Sequence, residues 1–358
     1  MSRSGRAMLG AAAVAALSAV GALAVRRREL GPGLERVAHE LRAPLLVIGR
    51  GQAGEPVDLP EDFSSLLSIR LPNRVFPTGL GHRSTAVWDG VKVPVWVYAD
   101  ATRPKSLPSG ALVWLHGGGF VGGSPSQDHL FCSRIARELG ILVVSVDYRL
   151  APAHPYPAAL DDATTVLRWL RKQTESLSID PDRIAVGGAS AGGGLAAALA
   201  QRALDEEIPV AFQMLIYPML DDRTGAGGVE IPGRGEFVWT ARRNAESWGA
   251  YLARPATTMP ESAADGGTVP TAARWAVPAR RSDLSGLPDT WIGVGDLDLF
   301  LDENRTYAER LRAAGVRAQL HVEPGMYHGA DYCTWSAAMR GFRGDAVAAL
   351  GRALRSPR

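Results

Sequence analysis

Cysteine is nearly missing from this chain: Cys132 and Cys333 are the only two in 358 residues, and they lie in separate segments without the close spacing of metal ligands. That argues against zinc ribbons and disulfide scaffolds and leaves buried free thiols as the expectation. A charge excess is missing too. Lys and Arg total 39 against 37 Asp and Glu, a formal net charge of +2, so no long-range field draws in nucleic acid or a strongly acidic partner. No internal period recurs, which sets solenoids and propellers aside. Nor does anything in the composition specify an oligomeric state.

Arginine-flanked, alanine-rich apolar segments are missing with one exception, at the N-terminus. Residues 7–25, from Ala7 to Val25, are alanine-rich and uncharged, preceded by Arg3 and Arg6 and followed at once by Arg26, Arg27 and Arg28. Such a run is about long enough to cross a bilayer if helical. It also resembles the apolar region of a signal peptide, with Ala22-Leu23-Ala24 as a small-residue cleavage site. The arginines directly after it favour a retained anchor, hence a membrane-associated or cell-envelope protein. A surface helix on a cytoplasmic protein is the alternative. Basic residues on both flanks leave the orientation open.

At this length one catalytic α/β domain with a smaller accessory region is expected. Residues 31–80 mix short apolar runs with Gly and Pro, including a helical-looking stretch from Gly33 to Val47, and suit part of a cap. Ser84 to Trp88 and Val91 to Tyr98 are β-rich and joined by Asp89-Gly90, a tight-hairpin signal. Beyond them, short continuous apolar runs alternate with helical ones, the pattern of parallel strands covered on both faces. The strands are Ala111 to Leu115, Ile141 to Val146, Arg183 to Val186, Val210 to Tyr217, Thr290 to Val294 and Arg317 to Glu323. Asp161 and Asp162 suit the start of a helix reaching Lys172, and a second helix fits Asp302 to Ala314. Residues 221–287, rich in Gly, Pro, Arg and Trp, are too long for a plain crossover and read as a cap insertion between core segments 81–220 and 288–358. Phe237, Trp239, Trp248, Tyr251 and Trp275 within it fit the cap's own small core better than a substrate entrance.

Gly188-Ala189-Ser190-Ala191-Gly192 fits G-x-S-x-G between a strand and a helix. There a serine on a strained turn presents its hydroxyl as a nucleophile, and the amide of Ala191 faces developing negative charge. Gly193 and Gly194 are expected to keep the approach open. His116-Gly117-Gly118-Gly119 follows another strand, where an HGGG-type loop offers the amides of Gly117 and Gly118 as further oxyanion donors. Gly117, Gly119 and Gly122 also satisfy G-x-G-x-x-G, with Asp147 ending the next strand, so a dinucleotide binder competes. Gly123-Ser124-Pro125-Ser126 favours a continuing loop and weighs against it.

In a hydrolase of this chain order the base follows the nucleophile and the acid. Of the seven histidines, only His321 and His328 lie beyond Ser190. His321 falls inside an alternating strand, whereas His328 sits in the loop Gly325-Met326-Tyr327-His328-Gly329 and has the reach. For the acid, Asp302 and Glu303 look like the opening of a helix, where they favour the dipole. Asp296 and Asp298 remain.

Taken together, HGGGF at 116–120, DYRLAPAHPYPAALDD at 147–162, GASAGGG at 188–194, GDLDLFLDE at 295–303 and EPGMYHG at 323–329 resemble the hormone-sensitive lipase family of α/β-hydrolase esterases, over most of the chain beyond residue 80. The resemblance implies a mostly parallel, roughly eight-stranded sheet with a helical cap. It also implies Asp298 as the triad acid beside Ser190 and His328, and Gly117 and Gly118 as oxyanion donors. The expected activity is hydrolysis of short to medium acyl esters through an acyl-enzyme, needing no metal or organic cofactor. Amide, formamide or lactone hydrolysis on the same triad is the rival, and a non-catalytic binder of this fold is a further one, opposed by His328. Ala189, Ala153 and Ala330 depart from residues common in the family.

Overall fold

The computed structural model describes residues 31, 33–48, 81–100, 103, 108–254 and 274–355. The apolar run at residues 7–25 and parts of the two expected cap segments, 49–80 and 255–273, lie outside the described residues.

Local chemistry sets the sheet's edge. Strands β1 (His82–Trp88) and β2 (Val91–Tyr98) pair antiparallel with Trp88 opposite Val91, so the loop has two residues. Asp89 and Gly90 have φ of 47° and 75°, the left-handed pair that matches strand twist in a tight hairpin. Further strands are β3 (Ser109–Leu115), β4 (Leu142–Val146), β5 (Ile179–Ala189), β6 (Phe212–Ile216), β7 (Thr290–Gly295) and β8 (Ala318–Glu323). They form one eight-stranded sheet in the order β1-β2-β4-β3-β5-β6-β7-β8, antiparallel at β1/β2 and β2/β4 and parallel elsewhere. Every residue of β4, β6 and β7 is buried, which accounts for their mostly apolar sequence, interrupted only by Ser145, Gln213 and Thr290. β6 is shorter at both ends than the sequence suggests, and at its C-terminal end Tyr217 turns to φ 33°, leaving the extended region.

Helices α1 (Gly33–Arg36), α2 (Arg42–Ile48), α3 (His129–Leu139), α4 (Ala158–Lys172), α5 (Ala191–Asp205), α6 (Ala241–Tyr251), α7 (Leu301–Ala313) and α8 (Ala337–Arg355) complete the described fold. Side chains of α4, α5 and α7 join one buried cluster, including Leu160, Leu195 and Tyr307. Those of α3 and α8 join another, with Phe131, Phe342, Leu34 and Leu41. The sheet therefore separates two apolar layers. The continuous helix expected from Gly33 to Val47 is broken between α1 and α2 by a short 3₁₀ turn at His39–Leu41. There the amide of Ala38 donates to the carbonyl of Gly325 at 3.0 Å. α4 starts at Ala158, ahead of the predicted start. Asp161 stands in its first turn, whereas Asp162 is buried and accepts from the amide and guanidinium of Arg149.

Residues 221–287, the expected insertion, contribute α6, begun by Thr240, whose hydroxyl accepts from the Arg243 amide at 3.4 Å. Asp222, buried at its base, pairs with Arg254 at 2.6 Å and Arg280 at 2.8 Å and so joins the two described ends of the insertion. Arg36 of α1 reaches Glu236 at 2.5 Å. The N-terminal segment thus touches both the insertion and the loop after β8.

Candidate active site

In a parallel sheet, loops at the carboxyl ends of neighbouring strands meet along one rim, with a crevice where the strand order reverses. β3 is that reversal, flanked by β4 and β5. The glycine loop leaves the end of β3, Ser190 the end of β5, Asp298 follows β7 and His328 follows β8.

Ser190 has φ 57° and ψ −123°, a conformation that costs a non-glycine residue free energy and persists only where its surroundings hold it. They do. Its amide donates to the Ile216 carbonyl at 2.9 Å, and its carbonyl accepts from Gly194 and Met219, each at 3.0 Å. Glycine at position 192 is enforced by close approach, since a β-carbon there would overlap the carbonyl oxygens of Leu115 and His116. Gly193 and Gly194 do not keep the approach open as expected. They lie under Pro218 and Met219 and let the chain beyond β6 close on α5.

The Oγ of Ser190 is 3.0 Å from Nε2 of His328, and Nδ1 of that ring is 2.8 Å from Oδ2 of Asp298. Asp298 is fully buried, and its Oδ1 accepts from the Phe300 amide at 3.0 Å. The other candidate acid, Asp296, accepts instead from the Gly325 amide at 2.7 Å and shapes the loop that carries the histidine. Tyr217 and Phe300 meet the His328 ring edge-on, with centroids at 4.7 and 5.3 Å, and Trp239 lies tilted at 5.8 Å. His321 lies on β8 with Nε2 at 2.8 Å from Glu323. Asp302 is exposed in the first turn of α7. Glu303 does more than open that helix: it is buried, it accepts from the Leu220 amide at 2.7 Å, and burial pushes its carboxyl well up.

The glycine loop lies beside the serine, where a β-carbon on Gly117 would stand 3.4 Å from that of Ser190. Gly118 has φ 126°, and its carbonyl accepts from the amides of Val121 and Gly122. The amides of Gly117, Gly118 and Ala191 donate to no acceptor among the described residues. His116 is buried, stacked on Tyr148 at 4.2 Å, with Nδ1 at 2.8 Å from the Gly117 carbonyl. Burial pushes its imidazole down to about 4, so at neutral pH it is an uncharged donor fastening the loop. The glycines run on into a short 3₁₀ turn at Pro125–Asp128, and α3 begins only at His129. A dinucleotide fold would instead start its helix within the glycine motif.

A buried polar chain behind the site was not legible in the sequence. Gln127 donates toward the Gly117 carbonyl at 3.5 Å and to the Tyr332 hydroxyl at 3.3 Å. That hydroxyl and Trp114 both donate to Asp128. Asp331 accepts from Tyr217 at 2.6 Å and from Arg343 at 2.9 Å, and the Arg343 guanidinium stacks on Tyr332 at 4.7 Å. Of the insertion's aromatics, Phe237, Trp248 and Tyr251 are buried, whereas Trp239 stands beside the His328 ring. Cys132 and Cys333 are both free and buried. Of the three departures, Ala189 and Ala330 are buried and Ala153 is exposed.

A sequence profile described as the alpha/beta hydrolase fold matches residues 112–331. The chain is 36% identical over 293 residues to carboxylesterase NlhH of Mycobacterium tuberculosis, covering 81% of this chain and 88% of that one. It is 33% identical over 254 residues to ethyl acetate hydrolase of Pseudomonas putida, covering 70% and 76%. Among solved structures, a bacterial heroin esterase superposes with a TM-score of 0.78 at 34% identity, covering 90% of this chain and 99% of that one. Esterase LipW of Mycobacterium marinum gives 0.74 at 34% identity, covering 90% and 98%. By profile, by identity across most of its length and by the superposed sheet, the chain belongs to the hormone-sensitive lipase-like esterases of the α/β-hydrolase fold.

Proposed function

We propose that this protein hydrolyses short to medium acyl esters through an acyl-enzyme on Ser190. The observation that carries the reading is the unbroken line from the serine hydroxyl through His328 to buried Asp298, at 3.0 and 2.8 Å. His328 takes the hydroxyl proton as Oγ attacks the ester carbonyl, and Asp298 holds the tautomer with Nε2 unprotonated and stabilises the imidazolium that forms. The oxyanion then faces the amides of Gly117, Gly118 and Ala191, each worth about 3 kcal/mol of transition-state stabilisation. His328 returns the proton to the departing alcohol. Water, activated by the same ring, releases the acid.

The test is hydrolysis of p-nitrophenyl acetate, butyrate and octanoate. Ser190→Ala should lower kcat by on the order of 10⁶-fold, to the residual rate left by binding and oxyanion donors. A fluorophosphonate should label Ser190 and no other residue. Retained activity in Ser190→Ala would remove the proposed chemistry. Arylacetamide deacetylase of Oryctolagus cuniculus is 42% identical over 135 residues, which cover 36% of this chain, so matched anilides belong in the same panel. Hydrolysis of the anilide faster than its ester would replace the ester reading with an amidase. The arginine-flanked run at residues 7–25 supports association with a membrane as part of this proposal. No helix among the described residues is long and apolar enough to cross one.

A further inference from the structure

Trp239 stands apart from the aromatics that fill the insertion's core. Phe237, Trp248 and Tyr251 are each 1% exposed, while Trp239 is only partly buried. Its indole touches two parts of the site. It lies 5.8 Å from the His328 ring, and a β-carbon on Gly119 would overlap its six-membered ring.

The indole is held from behind. Val238 sits at φ 64°, a conformation that a β-branched residue adopts only under constraint, and the Trp239 amide turns back to the Phe237 carbonyl at 2.7 Å. Nε1 donates to Oδ1 of Asn244 at 3.2 Å, and Nδ2 of Asn244 donates to the Thr224 carbonyl at 2.7 Å. Indole N–H is a donor only and a carbonyl an acceptor only, so the fully buried Asn244 amide has one orientation that satisfies both. A flat apolar surface fixed this firmly beside the third glycine and the histidine restricts whatever passes along that side of the cleft.

We propose that Trp239 is a specificity-determining residue that limits the length of the ester arm lying along Gly119, with Asn244 as its positioning residue. This deepens the esterase reading and rests on it. Each methylene admitted to an apolar cleft raises kcat/KM about four-fold. Shortening the wall should therefore favour long arms without improving the shortest.

Two substrate series test this in the full chain: p-nitrophenyl acetate, butyrate and octanoate vary the acyl arm, and methyl, ethyl and hexyl butyrate vary the alcohol arm. Trp239→Leu should raise the long-to-short ratio of kcat/KM at least ten-fold in one series, and the series that moves identifies the arm. Asn244→Leu should move the same ratio in the same direction by about three-fold and add little to Trp239→Leu, as expected of residues acting through one contact. Both ratios within two-fold of wild type, in a Trp239→Leu protein that still hydrolyses acetate, would overturn the proposal. Should that variant fail to fold, Trp239→Phe must shift the same ratio in the same direction, and an unchanged ratio is equally fatal. The parent reading is judged separately, since its failure would appear as activity surviving in Ser190→Ala.

Discussion

Asp296 and Asp298 are two residues apart, yet their surroundings divide the work between them. Asp298 spends one carboxylate oxygen on His328 and the other on the Phe300 amide, while Asp296 holds the Gly325 amide. Asp298→Asn should therefore lower kcat by about 10⁴-fold with little change in stability, because the tautomer and the imidazolium lose their partner. Asp296→Asn should act mainly on stability, and thermal melts beside steady-state rates separate the two. A larger fall in kcat for Asp296→Asn would reverse the assignment. His116 brings a pH dependence. Burial holds its ring neutral down to about pH 4, whereas in the unfolded chain it takes a proton near 6.5. Between those values the unfolded state binds more protons, so this contribution to stability is complete above about pH 6.5 and is lost as the pH falls towards 4. It amounts to about 3 kcal/mol. Urea midpoints measured from pH 7 to 4 should fall less steeply in His116→Asn than in the wild type.

At the scale of elements, the glycine loop after β3, the turn at Ser190 and α8 depend on one another. Arg343 on α8 faces two buried carboxylates, pairing directly with Asp331, while Asp331 also holds the Tyr217 hydroxyl against the histidine's neighbourhood. Removing one partner of a buried ion pair leaves the other uncompensated, so Arg343→Met should destabilise the protein by about 3–5 kcal/mol. Tyr217→Phe should cost about 1–2 kcal/mol and leave the serine reactive towards phosphonates. Equal losses in the two variants would show that the charge of Arg343 is not what the site depends on. None of this chain was visible in sequence, because Tyr217, Asp331 and Arg343 come from separate segments and look like ordinary strand, loop and helix residues until β6 and α8 pack together. The hairpin at Asp89-Gly90 and the serine turn were visible, because each is a local backbone requirement met by adjacent residues.

For the whole molecule, charges tie the 221–287 segment together and to the core: Arg281 pairs with Asp205 of α5 at 2.8 Å. Asp222 joins Arg254 to Arg280 from a buried position, so Asp222→Ala should loosen the insertion. Limited proteolysis should then cut within residues 221–287 before the core is attacked, and an unchanged cleavage pattern would show that the pair does not hold the cap. Residues 1–28 pose a separate question of location. Cell fractionation of the full chain against a chain lacking them should move the esterase from the membrane fraction to the soluble one, and an identical distribution would rule out an anchor there.

The sequence by itself determined the sheet-forming runs, the turn at Ser190, the glycine loop after β3 and the placing of Ser190, Asp298 and His328 in that order in loops after strands. Each rests on a periodicity or a steric demand satisfied within a few residues. The resemblance of the motifs already pointed to Asp298 over Asp296; only the tertiary structure decided that Asp296 holds the Gly325 amide, that Glu303 turns inward, that Gly193 and Gly194 serve packing, and that Trp239, among the described aromatics of residues 221–287, stands beside the His328 ring. Those outcomes depend on which distant strands become neighbours, and the order β3-β5-β6-β7-β8 that brings them together is selected by burial of whole faces rather than by any local pattern.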